Sequence, residues 1–300
     1  MPRSSFPATG RARVFAFVMA VSFIAIPAST YAQRGRGDTP GPLRDAAQLD
    51  VDGKTAQARA IYQAVLDTIS APAAKADVQR AMAMSYAFDG DCANTLRYEQ
   101  MVIDYWKTRE QAEPQNAFYQ EGEMADEGAR VCNDAGDLDA AEQWYRKGYE
   151  LGTQEPAPQT HPTSLWDYRL AHALGRIAAR RGDRAEAGRQ VAAARKALDS
   201  DSAMASQQER FFPYLLGYVA LYTGDLKTAE SEFTKMLAMR GNQNDPFMNC
   251  LLGMTYEKMG EQAKADALYR KAYEMARAHN PPAAFVRPFV RKKLNLGSGS

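Results

Sequence analysis

Few residues in this chain are of the types that do chemistry, and their spacing assembles no familiar reaction. The three histidines stand apart, at His161 in a proline-rich stretch, at His172, and at His279 near the C-terminus. That dispersal does not match a zinc site, whose ligands recur at short, fixed spacings. There is no H-E-x-x-H, no G-x-S-x-G, no C-x-x-C and no phosphate-cradling G-x-x-x-x-G-K. The stretch Asp50-Val51-Asp52-Gly53 has a slight calcium-loop look. The calcium loop, however, needs Asp two residues before Asp50 and Glu six residues after Gly53, where Gln48 and Arg59 stand. No pair among the 36 carboxylates is singled out for hydrolysis. The expectation is a protein without catalytic residues, metal or cofactor, which leaves recognition as its work.

Composition is compatible with that. The 300 residues are 45% hydrophobic and 24% charged, with a formal charge of +1. These are ordinary globular values, enough for one large domain or two small ones. A near-neutral balance argues against nucleic acid as a partner, because phosphate binding needs a clustered basic surface.

The first 32 residues read as a secretory signal peptide. Arg3, Arg11 and Arg13 precede an apolar run, Val14 to Ile26, and Pro27 precedes the small residues before Ala32. The run is 13 residues long, short of the ~20 needed to cross a bilayer as a helix. Cleavage is expected after Ala32, which takes the formal charge from +1 to −2. Export, to a periplasm or the exterior, follows, with no stable membrane insertion once the signal is gone. Residues 33–42, rich in Gly, Pro and charge, read as a flexible lead, and 295–300 as a flexible tail.

Residues 43–294 must therefore hold the fold. Helix formers dominate and no strand alternation persists, so the body is read as all-α. Glycine recurs at 53, 90, 136, 182, 224 and 260, each beside an acidic residue. A glycine that ends one helix in the left-handed conformation, followed by a carboxylate capping the next, is a helix–turn–helix corner. Seven residues before it stand Ala46, Ala83, Ala129, Gly175, Gly217 and Gly253. Five after it stand Ala58, Thr95, Ala141, Ala187, Ala229 and Ala265, and nine after it Tyr62, Glu99, Tyr145, Val191, Phe233 and Tyr269. Small residues at a crossing let two helices approach to ~8–10 Å.

This pattern resembles the tetratricopeptide repeat, with its L-G-x-x-Y followed by A-x-x-x-F/Y. Leu252 to Tyr256, with Ala265 and Tyr269, matches in full; Leu215 to Phe233 and Gly136 to Tyr145 match well. The second unit departs, with Thr95 and Glu99 at the packing positions and Tyr98 beside them. The glycine intervals of 37, 46, 46, 42 and 36 exceed the family's ~34. The excess is expected in longer helices or loops such as Gln154 to Ser164. The resemblance implies a right-handed solenoid of about six antiparallel helical hairpins. Asn280 to Leu294 is expected to cap it, with Phe285, Phe289, Val290 and Leu294 on the last hairpin, Arg287, Arg291, Lys292 and Lys293 in water, and Pro288 breaking or kinking any helix.

Stacking also bears on the cysteines. Cys92 opens the second helix of unit two and Cys132 ends the first helix of unit three, and antiparallel neighbours bring such ends together. A Cys92–Cys132 disulfide is expected over two buried thiols, given export. Cys250, mid-helix, reads as a buried small hydrophobe.

In the family, the first helices of the hairpins line a concave face. Transferred by position, this yields Glu123, Asp126 and Arg130 in unit three, the basic row Arg169, His172, Arg176 and Arg180 in unit four, and the aromatic row Phe211, Tyr214, Tyr218 and Tyr222 in unit five. The last two rows are candidate anchors for a protein or peptide. The competing reading has the charged rows pairing with each other or facing water, and the tyrosines packing inward. The family's two-carboxylate clamp uses Lys and Asn where His172 and Arg176 stand, so that specificity is not carried over. The leading function is a non-catalytic, exported scaffold binding a protein or peptide. The alternatives are an accessory or atypical envelope enzyme with a site in the groove, and a structural, oligomerising protein.

Overall fold

A computed structural model describes residues 41–297. The expected signal segment and most of the expected lead lie outside the described residues.

The glycine corners organise everything that follows. Each of Gly53, Gly90, Gly136, Gly182, Gly224 and Gly260 has a positive φ, between 68° and 99°. At four of the six corners the next Asp closes a cap. Asp91, Asp137, Asp183 and Asp225 accept from the backbone N–H of Asn94, Ala140, Glu186 and Thr228. These corners join α1 (Pro42–Val51) to α2 (Thr55–Leu66), α3 (Pro72–Phe88) to α4 (Cys92–Lys107), and α5 (Pro114–Ala135) to α6 (Leu138–Gly152). They likewise join α7 (Thr163–Arg180) to α8 (Arg184–Ser200). After an inserted short helix, α9 (Ser202–Gln208), and a 3₁₀ turn at Glu209–Phe211 come the last two hairpins. These are α10 (Phe212–Thr223) with α11 (Leu226–Ala238), and α12 (Pro246–Lys258) with α13 (Gln262–Met275). A final helix, α14, spans Pro281–Leu294. The described residues contain no strand, so the body is an all-α helical-repeat solenoid.

The crossings are as tight as the small residues imply. Ala46, Ala83, Ala129, Ala58, Ala141, Ala187, Ala229, Ala265 and Thr95 are fully buried. A Cβ at Gly217 would lie 2.6 Å from the Phe233 ring, and one at Gly253 2.8 Å from the Tyr269 ring. The excess in the glycine intervals resides in the 22-residue α5, in the Thr153–Pro162 connection, and in the α9 insertion. Only the first two kinds of excess follow from the spacing.

The C-terminal segment departs from expectation in three ways. Pro288 does not break the helix: it lies inside α14, which continues through it to Leu294. The helix covers α12 and α13, as a cap would, but it also packs on α1, α3 and α5. The core shows the consequence. Val51, Met84, Ala87, Phe88 and Val131 of the first three hairpins share one apolar cluster with Phe247, Leu251, Val286 and Val290 of the chain's end. Finally, Arg287 is not in water: it is buried, and its Nε donates to Val51 O at 2.8 Å. Lys292 and Lys293 are exposed as expected.

Cys92 and Cys132 are joined as a disulfide, with Cα atoms 4.7 Å apart. Cys250 is a buried free thiol, and burial raises its pKa far above the ordinary thiol range.

Candidate functional site on the inner face

The first helices α5, α7 and α10 bring the three sequence rows side by side, and there the rows satisfy one another. From α7, Arg176 lies at the centre. Its Nη1 donates to Tyr214 Oη and its Nη2 to Tyr145 Oη, both at 2.9 Å, and its Nε donates to His172 O at 3.3 Å. Arg169 pairs with Glu123 of α5 and sits over the Trp166 ring at 5.0 Å. Arg180 donates to Asn133 O and lies 5.5 Å from the Tyr222 ring. From α5, Arg130 lies 4.7 Å from the Phe247 ring of α12, and Asn133 Nδ2 donates to Tyr218 Oη at 3.4 Å. The α10 aromatics close the arrangement, Tyr218 and Tyr222 standing 4.6 Å apart and Tyr214 edge-on to Phe247 at 6.0 Å.

The expected row of open anchors is thus largely an internal network. His172, Arg176, Tyr214 and Tyr218 are buried, at 8%, 6%, 9% and 1% exposure. Arg169, Arg180, Phe211 and Tyr222 are half-buried and form its accessible edge. The physical reason is neighbour chemistry. An acidic row, a basic row and a phenolic row on adjacent helices offer each other hydrogen bonds at no cost in new surface, and a buried guanidinium requires such partners.

Burial sets the electrostatics. It holds His172 well below the usual imidazole range, and the charge of Arg176 adds to this. The ring is then neutral, and its Nε2 lies 3.3 Å from Phe211 O, placed to donate there. Burial pushes the Asp126 carboxyl up to about 7 against the pull of Arg169, and raises Asp134 against Arg130. Off this face, the departing second unit buries Glu99 where four of the other five units carry an aromatic. Burial, with Glu127 beside it, raises its pKa well above the carboxylate range.

Two clefts open at the rim. One, of about 210 Å³, is lined mainly by apolar groups, Ala87 and Val131 facing Pro281, Ala284, Phe285 and Phe289 of α14. The other, of about 610 Å³, lies between Thr55, Phe88 and Asp89 on one side and Arg291, Lys292 and Leu296 on the other. No group of three or more metal-ligating side chains stands together among the described residues, and none of the described helices is long and apolar enough to cross a membrane.

Several participants escaped the sequence reading. Asp50 looked like a failed calcium ligand. It is instead fully buried and bridges Ser85 Oγ, at 2.7 Å, to His279 Nε2, at 2.8 Å. Tyr145 was read as a packing aromatic only, and Asn133 carried no signal. The four-residue spacing of Arg287 and Arg291 was visible, but their acceptor, a backbone carbonyl at the other end of the chain, is not written in any side chain.

The hairpins, their corners and their small-residue crossings define a helical-repeat protein. The tetratricopeptide-repeat family model matches residues 248–279, which take in most of α12 and all of α13. Comparison with curated proteins finds no match.

Proposed function

We propose that this chain is an exported, non-catalytic scaffold that binds a protein or peptide along its inner face and rim. The observation that carries the reading is the tetratricopeptide repeat at residues 248–279 within a continuous stack of hairpins. Stacked repeats present an extended surface to a partner, and this family commonly serves protein–protein interaction. The accessible edge of the network, Arg169, Arg180, Phe211 and Tyr222, offers guanidinium and aromatic groups of the kind that dominate binding energy. Export is supported by the basic, apolar and small-residue succession at the N-terminus, and by a Cys92–Cys132 pair that an oxidising compartment would keep bonded.

Two measurements test this. Pull-downs from envelope or secreted extract compare wild type with Phe211→Ala/Tyr222→Ala. Loss of a partner from the variant is expected, and identical partner sets would refute the aromatic edge as a binding element. The mass of the mature protein tests export: an intact Met1 in a cytoplasmic fraction would refute it. A second reading, an accessory or atypical envelope enzyme, draws on Asp126, an inner-face acid with its pKa near 7. The repeat at residues 248–279 favours the scaffold reading over it.

A further inference from the structure

The inner groove already holds a helix, and that helix belongs to the chain itself. From the last hairpin, α14 contacts α12 and α13, then crosses to α1, α3 and α5. Its grip on the first hairpin is polar and specific. Val51 O, among the last carbonyls of α1, accepts from Arg287 Nε at 2.8 Å and from Arg291 Nη2 at 2.9 Å. Cations at a helix C-terminus complete the orphan carbonyls and oppose the negative end of the dipole. His279, just before α14, stacks on Phe88 at 5.5 Å and reaches Asp50.

The fit is uneven. Toward α12 and α13, Phe285 meets Phe247 at 5.0 Å and Phe289 meets Tyr269 at 5.7 Å, with Val286 and Val290 fully buried. Toward α1, α3 and α5 the same helix leaves both clefts, of about 210 and 610 Å³. Both clefts open at the rim, and each leaves room beside α14 for a larger side chain. Ala284 points at the smaller, apolar cleft, whose wall it shares with Ala87, Val131 and Phe285.

We propose that this groove is a helix-binding site whose resting occupant is α14, and that its partner is an amphipathic helix with two arginines four residues apart and a side chain larger than alanine at the position of Ala284. The arginines would take over Val51 O, and the larger side chain would fill the apolar cleft. This rests on the scaffold reading and names the partner's chemistry. α14 is then an autoinhibitory element, and a competing segment wins by filling the rim cleft that α14 leaves open.

The test uses the full mature chain and labelled synthetic helices spanning residues 279–296, read by fluorescence anisotropy. The natural peptide is expected to bind the Arg287→Ala/Arg291→Ala chain at least tenfold more tightly than wild type, because the variant's own α14 has lost its grip. A peptide carrying Ala284→Leu is expected to bind at least tenfold more tightly than the natural one, and a peptide lacking both arginines to lose binding. Hydrogen exchange on the unaltered protein supplies a second readout, with α14 amides expected to open at least tenfold more often than those of α12. Equal binding of all peptides, or α14 exchanging in step with α12, would overturn the proposal. A wild-type chain that still captures a partner while α14 exchanges with α12 removes this inference and leaves the scaffold reading standing.

Discussion

Replacing Arg176 by Met tests whether the basic row is interior structure or exposed anchor. Methionine keeps an apolar stem and removes the guanidinium. Two side-chain hydrogen bonds from a charged donor are lost, to Tyr145 and Tyr214, each worth about 1.5–3 kcal/mol, together with a longer one to His172 O, a carbonyl within the same helix. The substitution also removes the cost of keeping a cation out of water, which offsets part of that loss. What remains is two buried hydroxyls without their donor, each costing about 1–3 kcal/mol. A net loss of about 2–4 kcal/mol follows from these terms. Adding Tyr145→Phe and Tyr214→Phe removes the orphaned hydroxyls, so the triple variant should recover at least half of the loss, since replacing both partners by apolar groups is close to neutral. Urea denaturation followed by circular dichroism measures both, with unchanged slopes licensing the comparison. An exposed anchor would change stability by no more than about 0.5 kcal/mol. A single variant within that range, or a triple variant less stable than the single, would refute the network.

Three further outcomes are expected. Reducing the Cys92–Cys132 bond, which spans a sequence separation of 40, should cost about 4 kcal/mol by loop-closure entropy; denaturation with and without reductant measures it, and three reactive thiols in denatured, unreduced protein would rule the bond out. Gly253→Ala should lose about 1–3 kcal/mol, because its Cβ meets the Tyr269 ring at 2.8 Å; an unchanged midpoint would show that the ring moves aside freely. Glu121 is fully buried, and its carboxyl is pushed up to about 7 by burial, with Glu110 adding. The folded chain therefore holds that proton more tightly than the unfolded one, so this group's stabilisation is complete below pH ~4.5 and lost as pH rises through ~7. Glu121→Gln should lessen the fall in denaturation midpoint between pH 5.5 and 8, and an identical fall would contradict the assignment.

The hairpins were legible because their determinants are local. A glycine at a corner, an Asp behind it and a small residue at each crossing act within one or two turns of helix. Units five and six show this most plainly, since the same residues that spell the repeat also bury it, Ala229, Phe233, Ala265 and Tyr269 among them. The second unit shows the limit: Glu99 breaks the pattern yet is as buried as the tyrosines it replaces. The pattern assigns that position to the interior but does not foresee a carboxyl there.

The candidate site was legible only as chemistry in rows. That Arg169, His172, Arg176 and Arg180 share a helix face, and that Tyr214, Tyr218 and Tyr222 share another, follows from 3.6-residue periodicity alone, whereas Phe211 falls in the 3₁₀ turn before α10. Whether such rows face water or each other depends on how far the stack turns between hairpins, a sum of small inter-repeat rotations that no short segment encodes. The sequence by itself determined the helices, their corners and the pairing of each hairpin, because those follow from steric and capping preferences within a few residues. Only the tertiary structure decided that the final helix returns to the first. Arg287 and Arg291 meet Val51 O across more than 230 residues, and that meeting depends on the accumulated curvature of every repeat between them.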